Sequence, residues 1–90
     1  MQKIININAR RWFDKVNGNT YFSGICSLNG EDVANITFEY GYGDHCIDRL
    51  LEEACKAGHI PTKSIPVLRD DLGYKIKTYI SDVSRQRDLK

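Results

Sequence analysis

Two Asn-Gly pairs constrain the fold of this chain more than any other feature of its sequence. Asn17-Gly18 and Asn29-Gly30 each lie between stretches rich in β-branched and aromatic residues. Asn-Gly is a strong hairpin signal, because both central positions of a type I′ turn need a positive φ. Two such reversals close together predict three consecutive antiparallel strands joined by type I′ turns.

The stretches around these turns show the alternation of half-buried strands. Strands are predicted at residues 3–14, 20–28 and 33–40. In the first and third strands apolar side chains alternate with polar ones, so each strand should bury one face and leave the other in solvent. In the third strand this alternation assigns four side chains to the buried face: Ala34, Ile36, Phe38 and Tyr40.

After the third strand the hydrophobic period changes to that of a helix. The apolar stripe consists of Ile47, Leu50, Leu51, Ala54 and Cys55. This spacing predicts an amphipathic helix. Asp44 is the expected N-cap, whose carboxylate would accept from free backbone N–H groups of the first turn, and Gly58 should follow the C-terminus. Arg49 and Glu53 form an i, i+4 pair on the polar face.

The last third of the chain adds one more strand. Residues 59–66 contain two prolines and are expected to be irregular. Residues 67–72 predict one short helical turn, and the alternation from Tyr74 to Val83 predicts the final strand. The polar residues 85–90 predict a frayed tail.

The order β-β-β-α-β predicts an α+β fold. We expect an antiparallel sheet of about four strands with one amphipathic helix packed on one face. With 90 residues, of which 41% are hydrophobic and 28% charged, the chain has room for one core and reads as a single domain over residues 1–90. The residues assigned to that core are Ile5, Ile7, Ile36, Phe38, Ile76 and Ile80.

Composition excludes several classes of protein. A net charge of +1 supplies neither the positive field of a protein that coats duplex nucleic acid nor the negative field of a DNA mimic. The sequence shows neither a membrane-spanning apolar run nor a secretory signal, so we expect a cytoplasmic protein with no membrane partner. Cys26, Cys46 and Cys55 are an odd number without close pairing, which favours reduced thiols.

Candidate metal ligands and nucleophiles lie on or near the helix, at His45, Cys46, Cys55 and His59. No C-x₂₋₄-C pair is present, and the two helical sulfurs would lie roughly 13 Å apart along the axis. Thiols close to a buried stripe are inert, and the acidic pair Glu52 and Glu53 is typical of a solvated helix face. The sequence therefore predicts no metal site, no cofactor and no enzymatic activity.

Cations and aromatic residues occur together around the first hairpin, at Arg10, Arg11, Trp12, Phe13, Tyr21 and Phe22. Exposed aromatics on a sheet can stack unpaired bases while arginines contact phosphates, and Lys75, Lys77 and Tyr79 would extend such a face. In the alternative interpretation, Trp12 and Phe13 straddle the sheet, one in the core and one covering an edge, with the arginines in solvent.

The segment "EYGYGD", Glu39 to Asp44, joins the third strand to the helix. It matches neither a P-loop nor a dinucleotide-binding fingerprint, and a capping Asp44 would occupy the position of a bound anion. Two interpretations stay open. In one, Gly41 and Gly43 take positive φ at a structural corner and Tyr42 packs down; in the other, the tyrosines of the corner bind a partner.

Two segments carry a resemblance to a known group of proteins: "RRWFDKVNGNTYFS" (Arg10 to Ser23) and "FEYGYGD" (Phe38 to Asp44). They resemble small proteins of phages, plasmids and other mobile elements that have G-N-T-Y and Y-G-Y-G-D motifs, over roughly the first half of the chain. The resemblance implies a mobile-element setting, in which small single-domain proteins, including anti-CRISPR proteins, inhibit host defence by binding a protein or nucleotide ligand. It points to Trp12, Gly18, Asn19, Thr20, Tyr21, Tyr40, Gly41, Tyr42, Gly43 and Asp44.

These observations together predict a small non-enzymatic binding protein. The resemblance implies an inhibitor of a host defence system whose partner is a host protein or ribonucleoprotein complex. The alternative is a domain that binds single-stranded nucleic acid with the aromatic and basic face of its sheet. The candidate binding residues are Arg10, Arg11, Trp12, Asn19, Tyr21, Tyr40, Tyr42 and Asp44.

Overall fold

The computed structural model describes residues 3–89, which form a four-stranded sheet with one long helix against one face. The elements are β1 (Ile4–Asp14), β2 (Asn19–Leu28), β3 (Glu31–Tyr40), α1 (His45–Lys56) and β4 (Lys75–Val83). A π-helical turn at Val67–Asp71 and a 3₁₀ turn at Gln86–Leu89 complete the fold. The predicted α+β class, the element order and the short helical turn before the last strand are confirmed.

The strand order is β3-β2-β1-β4, and the sheet is mixed. The two predicted hairpins pair β1 with β2 and β2 with β3 in antiparallel fashion. The last strand instead lies beside β1 and runs parallel to it. A tight turn forces its two strands to be antiparallel neighbours, whereas a connection that includes a helix can return the chain to the far edge of the sheet in the parallel direction.

The second hairpin has the predicted turn. Asn29 has a φ of 52° and Gly30 a φ of 91°, and Leu28 pairs with Glu31 on either side of them. Both central residues therefore have the positive φ that a type I′ turn requires. Asn29 also ties the turn to the neighbouring strand, because its Oδ1 accepts from the Ile4 N–H at 2.9 Å.

The first hairpin closes through a longer loop. Asp14 pairs with Asn19 on either side of the loop. Gly18 has a positive φ of 72°, but Asn17 does not have a positive φ. The type I′ turn predicted at Asn17-Gly18 is therefore wrong. The Asp14 carboxylate accepts from the Asn17 side-chain amide at 2.8 Å, which is the main cause that lowers the pKa of Asp14, and also from the Val16 N–H at 3.0 Å. An aspartate that bonds to the following backbone offers an alternative to a two-residue turn.

The core lies between α1 and the face of the sheet that we call the helix side. Its buried residues are Ile5, Ile7, Ala9, Phe22, Cys26, Ile36, Cys46, Ile47, Leu50, Leu51, Ala54, Ile60 and Leu68. Of the predicted core residues, Ile5, Ile7 and Ile36 are confirmed as buried, and Ile76 and Ile80 are half-buried beside them. Each large side chain that is removed from water here contributes about 1.5–3 kcal/mol before entropy costs.

A bulge in β3 overturns the prediction for the end of that strand. Phe22 pairs with Glu39 but Gly24 pairs with Ile36, so β3 has one more residue than β2 in this interval. An extra residue reverses the faces of the side chains that follow it. Ile36 therefore reaches the core, whereas Phe38 and Tyr40 are 44% and 52% exposed on the opposite, outer face. The assignment of Phe38 and Tyr40 to the buried face is wrong.

The helix follows its predicted stripe and has Asp44 as its N-cap, as predicted, but the cap lacks the predicted side-chain bond. The Asp44 carboxylate makes no capping hydrogen bond within the described chain; instead the Asp44 backbone oxygen accepts from the Ile47 N–H at 3.0 Å. The prediction of a side-chain N-cap is therefore wrong. The Arg49–Glu53 pair is confirmed at 2.8 Å, and Gly58 follows the helix with a φ of 84°.

The predicted frayed tail is wrong for residues 86–89, and Lys90 lies outside the described residues. The 3₁₀ turn packs on the outer face of the sheet, where Leu89 is 3% exposed. The Ser23 hydroxyl donates to the Leu89 backbone oxygen, and Arg10 Nη1 donates to the Asp88 backbone oxygen at 3.0 Å. Leu89 gives the segment an apolar anchor, which a polar tail without such a contact would lack.

Gly24 allows α1 to approach the sheet closely. A Cβ at this position would lie 2.8 Å from the Asn8 backbone oxygen and 2.8 Å from Leu50 Cδ1. We therefore expect Gly24→Ala to lower the free energy of unfolding by about 1–3 kcal/mol, measured by urea denaturation. Ser81→Ala, at an exposed position, is the control and should change it by less than about 0.5 kcal/mol. Equal stability of Gly24→Ala and wild type would contradict this packing.

Candidate functional site

Five aromatic side chains gather at one end of the outer face. We call them the aromatic cluster: Trp12, Tyr21, Phe38, Tyr40 and Tyr42. The register explains their position, because Trp12 pairs with Tyr21 and Tyr21 pairs with Tyr40 across three neighbouring strands. The bulge turns Phe38 and Tyr40 to the outer face, and the corner after β3 places Tyr42 beside Tyr40. The structure thus brings together four of the predicted binding residues.

Contacts between neighbouring rings hold the side chains of the aromatic cluster in place. Tyr21 is stacked between Trp12, at 5.8 Å between ring centroids, and Phe38, at 4.8 Å. Tyr40 meets Tyr21 and Tyr42 edge-on, at 5.8 and 5.3 Å. Such ring pairs contribute about 0.5–1.5 kcal/mol each beyond their buried area. The cluster is therefore a fixed surface, even though Phe38, Tyr40 and Tyr42 are each about half exposed.

Hydroxyl groups connect the cluster to the first hairpin. The Tyr40 hydroxyl donates to the Tyr42 hydroxyl at 2.9 Å, and the Tyr42 hydroxyl donates to the Gly18 backbone oxygen at 3.3 Å. The hydrogen bond to Tyr42 raises the pKa of Tyr40, because Tyr40 can donate it only while its hydroxyl is protonated. The hairpin and the "EYGYGD" corner thus form one continuous surface.

The corner differs from the structural interpretation in two of its three features. Gly41 does not have a positive φ; it is needed because a Cβ there would collide with the His45 ring and lie 2.8 Å from Phe22 Cε1. Gly43 has the predicted positive φ, at 54°. Tyr42 does not pack down, since it is 52% exposed. The corner therefore combines a tightly packed backbone with an exposed tyrosine.

The structure places only one of the two predicted arginines, Arg11, on the face opposite the cluster. Arg11 lies on the helix side, where its Nε bonds to Asp82 Oδ1 at 3.0 Å and its Nη1 donates to the Gly43 backbone oxygen at 3.2 Å. Arg10 lies on the outer face and contacts the C-terminal turn. Both arginines therefore take part in holding the chain together. Asn19 lies at the base of the hairpin, and Asp44 is exposed where the helix begins.

Trp12 and Phe13 do point to opposite faces, but neither is buried in the core. Trp12 is half-buried on the outer face, and Phe13 is 52% exposed on the other side of the strand.

Sequence reasoning missed Phe38 as a site residue because the alternation in β3 assigned it to the core. No local signal in β3 marks the bulge that turns Phe38 outward.

The polar face of α1 is neutralised from within the molecule. Arg49 bonds to both carboxylate oxygens of Glu39, at 2.9 and 3.0 Å, and also to Glu52 and Glu53. These partners raise the pKa of Arg49 above its ordinary value. Glu52 also contacts Lys63 at 3.3 Å, and this bond is the main cause that lowers the pKa of Glu52. Glu52 and Glu53 of the helix are thus paired with cations.

The buried cysteines are protonated thiols at neutral pH. Burial raises the pKa of Cys26 to about 11 and also raises that of Cys46, so neither is an activated nucleophile. Cys55 is half-buried on α1. Within residues 3–89, no three His, Cys, Asp or Glu side chains are grouped as a metal site would require.

The part of the chain that the structure describes contains no helix with the length and apolar character needed to cross a membrane. Comparisons with the profiles of known families, with curated proteins and with solved structures find no match to this chain. The resemblance to mobile-element proteins, and the residue roles that it implies, therefore stay predictions.

The Arg49 network yields a stability prediction. Arg49→Ala would leave Glu39, Glu52 and Glu53 close together without their shared cation, so we expect the free energy of unfolding to fall by about 1–2 kcal/mol at low salt and by less at high salt. Urea denaturation at two ionic strengths measures this.

The control for this experiment is Arg69→Ala. Among the described residues Arg69 pairs only with Asp70, at 3.2 Å, and both side chains are exposed. An exposed ion pair of this kind contributes about 0–1 kcal/mol. If Arg49→Ala cost no more than Arg69→Ala at low salt, the network would not be what fastens β3 to α1.

Proposed function

We propose that this chain is a small non-enzymatic binding protein whose aromatic cluster contacts a protein partner. The observation that supports this most directly is the grouping of Phe38, Tyr40 and Tyr42 as one exposed aromatic patch. Tyrosine and tryptophan are enriched in protein interfaces and dominate their binding energy. Contiguous exposed aromatic surface on a small domain is typical of an interaction site.

The order within the cluster supports tight binding. Each ring is held by neighbouring rings or by the hydroxyl chain from Tyr40 to Gly18. Side chains that are fixed before binding lose little conformational entropy when a partner arrives, whereas each mobile long side chain costs about 0.5–1.5 kcal/mol. The hydroxyl groups at the rim of the patch can also accept hydrogen bonds from a partner.

Ring orientation favours a protein over stacked bases. A base needs an open ring face, but Trp12 and Phe38 cover the two faces of Tyr21. Arg11 lies on the opposite side of the sheet and bonds to Asp82 there, so it is not positioned to meet phosphates beside the cluster. The central ring of the cluster is thus closed to a base, whereas the hydroxyl groups of Tyr40 and Tyr42 suit the mixed surface of a folded protein.

The alternative, single-strand nucleic-acid binding, has one observation in its favour. Lys75, Lys77 and Tyr79 lie on the outer face, as their register with β1 requires, and all three are exposed. The C-terminal turn, anchored by Leu89, lies on the same face and contacts both β2 and β4. It interrupts the path that a strand of nucleic acid would follow from the lysines to the aromatic cluster.

The biological setting that we propose comes from the resemblance of "RRWFDKVNGNTYFS" and "FEYGYGD" to mobile-element proteins. In that setting the partner is a host protein or ribonucleoprotein complex of a defence system, and binding inhibits it, as anti-CRISPR proteins do. The fixed aromatic patch is compatible with this mode of action, because an inhibitor that blocks a surface needs no chemistry of its own.

Capture of a partner from host lysate tests the cluster. We expect Tyr42→Ala and Tyr40→Ala to lose the partner captured by the wild type, with affinity falling at least about tenfold, since truncation of an aromatic anchor costs roughly 2 kcal/mol. Phe13→Ala is the matched control, because Phe13 is also 52% exposed but lies on the other face. An identical set of captured proteins with Tyr42→Ala would remove the cluster from the site.

Titration against labelled single-stranded oligonucleotides tests the alternative. We expect no binding even at low salt, where attraction to phosphates is strongest. Salt-sensitive binding that disappears in Lys75→Ala/Lys77→Ala would instead favour the nucleic-acid function. Because these lysines lie outside the aromatic cluster, the experiment distinguishes the two functions without disturbing the rings.

A further inference from the structure

β4 is an edge strand with little covering it. It ends the sheet order β3-β2-β1-β4, and α1 packs mainly on β2 and β3. Thr78 lies on the helix side between Ile76 and Ile80, yet it is exposed, and the two isoleucines are only half-buried. The helix side of the sheet is thus incompletely covered at β4.

The two edges of the sheet differ in regularity. β3 contains two register shifts against β2, and such bulges discourage another strand from pairing with an edge. β4 is nine residues long and pairs with β1 from Lys75 to Val83 without interruption. A regular edge of this kind is a template for strand addition.

The backbone of β4 presents hydrogen-bonding groups along this edge. The Lys75 N–H donates to the Lys3 backbone oxygen at 2.8 Å, so Lys75 directs its backbone groups toward β1. Because direction alternates along a strand, Ile76, Thr78 and Ile80 direct their N–H and C=O groups away from the sheet. No strand within residues 3–89 lies on that side of β4.

We propose that β4 pairs in antiparallel fashion with β4 of a second copy of this chain, with a two-fold axis at Thr78. A two-fold axis perpendicular to the sheet brings like faces together, so the two sheets join into one. Thr78 then faces its own counterpart, and the outward backbone groups of Ile76, Thr78 and Ile80 receive partners. This dimer does not depend on the proposed function of the aromatic cluster.

Side-chain complementarity selects this register. On the helix side, Ile76 of each copy faces Ile80 of the other, on both sides of a central threonine pair. On the outer face, Lys77 faces Tyr79 of the second copy, where its ammonium group can contact the ring, and Lys75 faces Ser81. Apolar pairs, threonine pairs and cation–π pairs across strands are each favourable.

The neighbouring registers are worse. A two-fold axis at Lys77 would place two lysines directly opposite each other, and like charges in that position repel. An axis at Tyr79 would place Asp82 opposite Ile76, so an apolar side chain would lose its apolar partner. Lysines on an edge strand usually prevent aggregation. Here they also disfavour the pairing centred on Lys77, whereas the pairing centred on Thr78 has no charge conflict and keeps the apolar pairs.

The solution mass, measured by light scattering and sedimentation equilibrium over a range of concentrations, tests the dimer. We expect the average mass of the wild type to rise with concentration, from 10.3 kDa for the monomer toward twice that value for the dimer. Thr78→Lys and Thr78→Glu should each stay monomeric, because like charges would meet at the axis. An equimolar mixture of the two variants should recover the dimer, since opposite charges would then face each other.

Thr37→Lys is the matched control, since it makes the same change at an exposed position of the other edge strand and should dimerise like the wild type. Circular dichroism verifies that the variants are folded.

Hydrogen exchange of the wild type tests the dimer without substitutions. The amides of Ile76, Thr78 and Ile80 should exchange more slowly as the protein concentration rises. A wild type that stays at 10.3 kDa, a Thr78→Lys protein that dimerises normally, or exchange independent of concentration would each overturn the proposal.

Discussion

One extra residue in β3, between Ile36 and Glu39, sets the arrangement of both faces of the sheet. Before the bulge, Ile36 faces α1 and completes the core with Ile5 and Ile7. After it, Glu39 faces the helix and Phe38 the outer side. This exchange places a carboxylate where Arg49 can bond to it with two nitrogens, and it places an aromatic ring where Tyr21 can stack on it.

The two faces then carry separate tasks. The helix side supplies stability through the buried core, the close approach of Leu50 to Gly24 and the ion pairs of Arg49. The outer face carries the aromatic cluster, whose rings are fixed by one another and by hydroxyl bonds to the first hairpin. A surface can stay exposed and still be rigid when its order comes from contacts within the surface. That combination suits the binding function proposed above.

Contacts between residues far apart in the chain hold the C-terminal turn and β4 to the rest of the sheet. Ser23 and Arg10 bond to the C-terminal turn across the outer face, and Arg11 links Asp82 of β4 to the corner at Gly43. The arginines that the sequence offered as ligands for a partner are therefore used inside the molecule. β4 differs from β3, the other edge strand, because it pairs with its neighbour without a register shift.

The sequence by itself determined the features that depend on neighbouring residues. Asn29-Gly30 predicts its turn because both residues tolerate positive φ, and the stripe from Ile47 to Cys55 predicts α1 because its period is that of a helix. The same local rules predicted the α+β class and brought Trp12 and the corner tyrosines forward as candidates. Only the tertiary structure decided the bulge, the parallel pairing of β4, the docking of Leu89 and the internal use of Arg10 and Arg11. These features depend on contacts between residues far apart in the chain, such as Glu39 with Arg49 and Ser23 with Leu89, which no local pattern encodes.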